Sequence, residues 1–319
     1  MRERFEAVVD RPPSARASGR PARLAAPAFI TVSSVFHYLG PAFAVLLFAR
    51  LDVFGVTWLR IASAAVVFAV WRRPWRLVPR LTAAQRRVLL ALGVVLAAMN
   101  TAFYLAIARL PLSTVGSIEF LGVVIVAAVG VRSLRNALAL GLAVVGVLAL
   151  ADIRLAGEPI GFGFAFANCA LFMLYVSLGH RIANTGPRDA ARWGGADRRG
   201  GADRWDGVDQ LGAAMLVAAV ATTPLGLVHA APAFHHPGWL LAGVGVGVCS
   251  SVIPYVTDQL AMARVRRATF ALMLSLLPAS ATVIGLLVLS QLPTVRDLLG
   301  VALVIVAVAL HQQPAHRPG

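Results

Sequence analysis

Ten stretches of the chain are apolar at nearly every position: 25–48, 53–71, 88–108, 111–131, 135–151, 161–180, 210–231, 239–262, 268–289 and 295–311. Short gaps holding arginine, proline or glycine separate them. Each stretch is between 17 and 24 residues long, enough for an α-helix to cross about 30 Å of hydrocarbon at about 1.5 Å per residue. The pattern predicts ten transmembrane helices. Its narrowest breaks are Arg109–Pro111 and Arg132.

The polar punctuation orients these spans. All 29 basic residues are arginines, and loops facing the cytoplasm are enriched in arginine and lysine. With the N-terminus inside, 24 arginines fall on the inner side. They lie in the tail (Arg2, Arg4, Arg11, Arg16, Arg20, Arg23), in 72–87, at Arg132 and Arg135, in 181–209, at Arg264, Arg266 and Arg267, and at Arg317. Only Arg50, Arg109, Arg154 and Arg296 fall outside, and Arg60 is left within a span. A wrong span count would scramble this alternation, so both termini are expected in the cytoplasm of a multi-pass inner (plasma) membrane protein.

Composition sharpens the picture. Hydrophobic residues make up 59% of the chain and charged residues 13%, against roughly 25% charged in soluble domains. A water-soluble globule could not be coated with so little polar surface. The net charge of +15 would fit nucleic acid if it formed one basic face, but it is spread among the gaps, and no nucleic-acid partner is expected. Cys169 and Cys249 lie in apolar stretches without metal-ligand spacing and read as small buried hydrophobes. No cofactor or metal is expected. Trp58, Trp71, Trp75 and Trp239 stand near span ends, as interfacial anchors do.

Residues 1–24, rich in Arg and Pro, read as a disordered cytoplasmic tail, and 181–209, with RWGGADR followed by RGGADRW, as a flexible cytoplasmic linker. The domain reading is a first five-helix repeat at 25–151, an external loop at 152–160, a second repeat at 161–311 and a short tail at 312–319. A shift of 155 residues lays 105–130 over 260–285 and matches Leu105, Ala106, Ala108, Arg109, Thr114, Leu121 and Gly130 with Leu260, Ala261, Ala263, Arg264, Thr269, Leu276 and Gly285. Arg109 then ends a span outside and Arg264 ends one inside. Five crossings per unit force the second copy to insert upside down, a construction common to secondary transporters.

MNTAFYLAIARLPLSTVGSIEFLG (99–122), SSVIPYVTDQLAMARVRRATFALMLSLLPA (250–279) and WLRIASAA (58–65) resemble the EamA family of the drug/metabolite transporter superfamily, in its threonine/homoserine exporter branch. The resemblance implies an all-α membrane protein of ten transmembrane helices in two inverted five-helix repeats, with a central cavity, exporting amino acids or related metabolites by alternating access. The chain departs from that branch in three places. Leu276-Leu277-Pro278 replaces Met-Glu-Pro, Ser290-Gln291 replaces Gly-Glu, and Val123 stands where proline is usual.

An ionisable group at mid-span costs about 2.5–3.5 kcal/mol on insertion scales and by default marks function. Arg60 and Glu119 qualify, with Asn100 beside them, each about 10–12 Å below the outer face. Glu119 is expected to take a substrate ammonium and Arg60 a carboxylate, with Asn100 hydrogen-bonding between them; the competing expectation is that Arg60 and Glu119 pair, or that Arg60 snorkels to the surface. Tyr104 and Tyr255 are further candidates for contact with substrate. Pro254 and Pro278 are candidate bends. Asp258, where the related exporter has a glutamate, is a candidate for gating or proton coupling, against a simple interfacial pairing with Arg264 or Arg266. Gly243, Gly245 and Gly247 form a small face for close helix packing.

The expected partners are a small-molecule substrate, the bilayer and protons as coupling ion; a homodimer stays open. An alternative keeps the fold and changes the cargo to a purine, a sugar derivative or a drug. A lipid-headgroup enzyme is the weaker alternative, since Asp203, Asp206 and Gly207 begin a phosphotransferase-like signature that is not completed. A channel without alternating access is the third.

Overall fold

The computed structural model describes residues 20–130, 134–151, 158–184, 202–262 and 277–310. The described residues are helical apart from short connections. The helices are α1 (Arg20–Leu47), α2 (Val53–Arg72), α3 (Ala83–Ile107), α4 (Leu112–Gly130), α5 (Leu134–Ala151), α6 (Pro159–Asn184) and α7 (Ala202–Phe234). After them come α8 (Pro237–Gly247), a π-helical segment (Val248–Val252), α9 (Ile253–Met262), α10 (Leu277–Leu289) and α11 (Val295–Leu310). Among the described residues, four stretches are long and apolar enough to cross a membrane: Val53–Arg72, Ala83–Ile107, Val208–Phe234 and Pro237–Thr257. Shorter apolar helices run over Val32–Leu47, Ala137–Ala149, Pro159–Tyr175 and Leu277–Leu289.

Local chemistry sets several ends. Asp52 caps α2 by accepting from Phe54 N at 2.9 Å, and Arg73 in the left-handed region followed by Pro74 stops it. Thr82 and Gln85 form a capping box at the start of α3. Thr294 and Asp297 exchange bonds in the same way before α11, with Thr294 N donating to Asp297 Oδ2 at 2.8 Å and Asp297 N to Thr294 Oγ1 at 3.2 Å. Some helices outrun the apolar stretches. α1 begins at Arg20, inside the segment read as a tail, and α6 and α7 extend to Asn184 and from Ala202, into the segment read as a linker. Helix propensity does not stop at the hydrocarbon boundary, so polar turns continue a span beyond it. Residues 1–19, 185–201 and 311–319, which hold the rest of those readings, lie outside the described residues.

The helices pair closely. α2 runs along α7, α5 along α11, and α4 meets α10. α1 lies against α8, the π segment, α9 and α10, while α3 and α4 lie against α6. α3 also packs on α7, and α2 on α8. Glycines permit the closest crossings: a Cβ on Gly243 would meet Leu59 side-chain atoms from 2.6 Å, and one on Gly55 would meet the His229 carbonyl oxygen at 2.5 Å. Trp58 is half-buried, and its Nε1 donates to Thr223 Oγ1 at 2.9 Å, joining α2 to α7. Trp71 and Trp75 are exposed, as interfacial residues are.

Candidate functional site

Two apolar clusters fill the bundle, and the polar residues lie where one gives way to the other. On α2 the first cluster ends at Leu59 and the second begins at Ile61; on α3 the second ends at Met99 and the first resumes at Phe103. Arg60 and Asn100 occupy those junctions. Both are buried, as is Glu119 on α4.

Arg60 reaches across to the broken helix α8–α9. Its Nε donates to Ser251 Oγ at 3.1 Å and its Nη2 to the Ser250 carbonyl at 3.3 Å, while the guanidinium lies 5.0 Å from the centre of the Tyr104 ring. The local sequence explains this acceptor. Pro254 has no N–H to give the carbonyl four residues earlier, which is that of Ser250, and the helix widens to a π turn over Val248–Val252. Backbones close in on the same turn. A Cβ on Gly40 of α1 would strike Ser250, and one on Gly247 would strike Ser63 Oγ and come 2.6 Å from the Arg60 carbonyl oxygen. α1, α2 and the π segment thus meet around Arg60 with almost nothing between their main chains.

Glu119 sits in a second polar group. One turn before it, Gly116 lies under the fully buried Tyr38, whose hydroxyl would be 2.8 Å from a Cβ there. One turn after it, Gly122 packs on Cys169 of α6, next to Asn168. The Glu119 carboxylate is within electrostatic range of Arg60, Tyr38 and Cys169 and lies beside Asn168. Even so, its Oε2 makes no hydrogen bond of standard geometry among the described residues. The same holds for Tyr38 Oη, for Tyr104 Oη, which faces Arg60 and Ser250, and for both polar atoms of the Asn168 amide, which faces Glu119. Among the described residues Arg72 pairs with Asp209 at 2.7 Å, while no such pair joins Arg60 to Glu119. Arg60 therefore neither pairs with Glu119 nor snorkels outward, since the π turn and Tyr104 hold its head group inside the bundle.

The other candidates fall variously. The Nδ2 of Asn100 donates to Leu96 O at 2.8 Å, so half of its amide is committed to its own helix. Tyr104 stands one turn further along α3 and joins Arg60. Tyr255 is half-buried against the second cluster. The Pro254 carbonyl accepts from Ser33 Oγ at 3.4 Å and from Thr257 Oγ1 at 3.0 Å. Pro278 occupies the first turn of α10, with the preceding residues outside the described ones, so the bend expected there lies beyond description. Asp258 belongs to α9, but its side chain, like Arg264 and Arg266, lies outside the described residues. Tyr38, Asn168, Ser250 and Ser251 join the site without having been singled out in the sequence. Asn168, an amide in an apolar stretch, carries the same signal as Asn100; the serines carry none. Among the described residues no cluster of His, Cys, Asp and Glu could hold a metal ion.

Comparison with known proteins places this architecture. Residues 198–311 match the EamA-like transporter family. The threonine/homoserine exporters RhtA of Salmonella typhimurium strains SL1344 and LT2 are 30% identical to this chain over 272 residues, covering 84% of both proteins. RhtA of Escherichia coli K12 is 30% identical over 275 residues with the same coverage. A solved crystal structure at 17% identity shares the fold with a TM-score of 0.55, covering 91% of this chain and 96% of its own. Identity of this extent, on a bundle of apolar helices with buried charges at its centre, means that the chain belongs to the EamA-like transporter family and is a membrane transporter rather than an enzyme.

Proposed function

We propose that this chain is an inner-membrane secondary transporter that exports amino acids of the threonine/homoserine kind by alternating access. Its ten transmembrane helices form two inverted five-helix repeats, 25–151 and 161–311, with both termini in the cytoplasm. The relatives' activity and the arginine distribution support this reading. So does the packing, because exchanging the halves maps the helix pairs onto themselves. The pairings α2 with α7, α5 with α11 and α4 with α10 are their own images. The contacts of α1 with α8–α9 and with α10 become those of α6 with α3 and with α4.

One observation carries the cargo assignment: a buried cation on α2 and a buried carboxylate on α4, within electrostatic range of each other, do not form an ion pair. An amino-acid zwitterion supplies the missing partner to each. Glu119 takes the ammonium through its free oxygen, and Arg60 takes the carboxylate in exchange for its bonds to the π turn. Tyr104 and Tyr255 wall the site, and Asn100 contributes its carbonyl oxygen. Pro254 and Pro278 act as bends for gating, and Asp258 carries a coupling proton.

The test is counterflow in proteoliposomes, with and without a pH gradient, beside metabolite profiles of medium from overexpressing cells. Glu119→Gln removes the charge at constant shape, and the loss of a charged hydrogen bond lowers amino-acid transport by about tenfold or more. Unchanged transport excludes the carboxylate charge from the site, and a medium enriched in another class of metabolite replaces the cargo.

A further inference from the structure

The amide of Asn168 faces the Glu119 carboxylate without closing a hydrogen bond of standard geometry. It is 1% exposed, in a stretch of α6 that is otherwise apolar, and its Oδ1 likewise makes no hydrogen bond of standard geometry among the described residues. A buried acceptor left unmade, beside a donor with only an imperfect contact to a carboxylate, is costly to bury. Folding does not compensate for that. Leucine has nearly the same shape and would remove the cost, so the amide is retained for a group that is sometimes present. Its position agrees. Asn168 lies seven residues into the stretch 161–180, about 10 Å below the outer face, which is the depth of Arg60 and Glu119. It stands beside the Glu119 carboxylate, where α6 packs on α3 and α4.

Resting on the amino-acid reading above, we infer that Asn168 is a specificity-determining residue that reads the side chain of the cargo while Glu119 and Arg60 hold its charged groups. A carboxamide offering one donor edge and one acceptor edge is matched by a group that both donates and accepts, which means a hydroxyl or another amide. Asn168 therefore selects amino acids with a hydrogen-bonding side chain against isosteric apolar ones. Discrimination of this kind is strong, because an apolar analogue leaves the buried amide unmade. A site built to bond a hydroxyl rejects the analogue lacking it by up to about 10⁴–10⁵-fold, whereas an apolar pocket separates the same pair by only about 10²-fold.

L-threonine and L-valine have nearly the same shape and differ in this property, so their transport ratio reads the role of Asn168. In proteoliposomes holding the full chain, Asn168→Leu lowers the threonine-to-valine ratio by about tenfold or more while valine transport persists. A ratio equal to that of the unmutated protein overturns the inference. An equal loss of both amino acids also overturns it, by reducing Asn168 to a packing residue or a support for Glu119. Should Asn168→Leu fail to fold, Asn168→Ser keeps a small polar group and carries the same readout: a reduced ratio is expected, and an unchanged one overturns the inference. If the unmutated protein moves neither amino acid, the amino-acid reading itself fails. If it moves both and the variants leave the ratio intact, only the role of Asn168 does.

Discussion

Serine 290 ends α10 with φ at 53°, in the left-handed region. That conformation costs a side chain with a Cβ about 1–2 kcal/mol, and glycine is what the EamA pattern places there. The turn is kept because Gln291 N donates to Gly285 O at 3.0 Å and Gln291 Oε1 accepts from Leu112 N at 3.1 Å, satisfying an orphan donor at the start of α4. Ser290→Gly relieves the strain and returns about 0.5–1 kcal/mol of it as unfolded-chain entropy. A net gain of about 0.5–1 kcal/mol is expected, read as a higher thermal midpoint in detergent; a lower midpoint would show that the serine hydroxyl contributes more than the strain costs. Single residues also set what could be read in advance. Arg60 and Glu119 are visible in the sequence because charge inside an apolar stretch is expensive wherever it points. Tyr38 is invisible, since a tyrosine in a span reads as packing until its hydroxyl is found against Gly116 with no partner among the described residues.

At the scale of helices, the apolar stretches foretell where most elements lie, and the ends drift where caps and polar turns take over. Nothing in the sequence marks the π turn between α8 and α9 except Pro254, and a proline alone does not say which side chain will use the carbonyl it frees. Pro254→Ala restores an N–H to compete with Arg60 for Ser250 O. The helix gains a regular turn, so thermal stability is expected to hold or rise while transport falls. Transport at the unmutated rate would remove the π turn from the mechanism. At the other end of α2, Arg72 Nε and Nη2 grip Asp209 Oδ1 and Oδ2 at 2.7 and 3.1 Å, tying α2 to α7. Their side chains are 22% and 23% exposed, so the pair is partly screened. A double-mutant cycle with alanine at both positions should give a coupling of about 0.5–1 kcal/mol that shrinks with added salt. A coupling near zero would mean that the paired geometry is not held.

The whole molecule poses a question of orientation. A duplicated unit with an even number of crossings would place both copies the same way up, and loops related by the 155-residue shift would share a side of the membrane. In the proposed repeat of five crossings they lie on opposite sides. Arg109, exposed after α3, and Arg264, its equivalent in the second half, are the pair that tells the two cases apart. With Cys169 and Cys249 replaced by alanine, Arg109→Cys should react with a membrane-impermeant maleimide in intact cells. Arg264→Cys should react only after the membrane is opened. Labelling of both from the same side would break the inverted arrangement, and with it the argument that one central site is presented to each face of the membrane in turn. The two clusters meeting at Arg60 and Asn100 would then be an internal polar seam rather than a place where cargo rests between two gates.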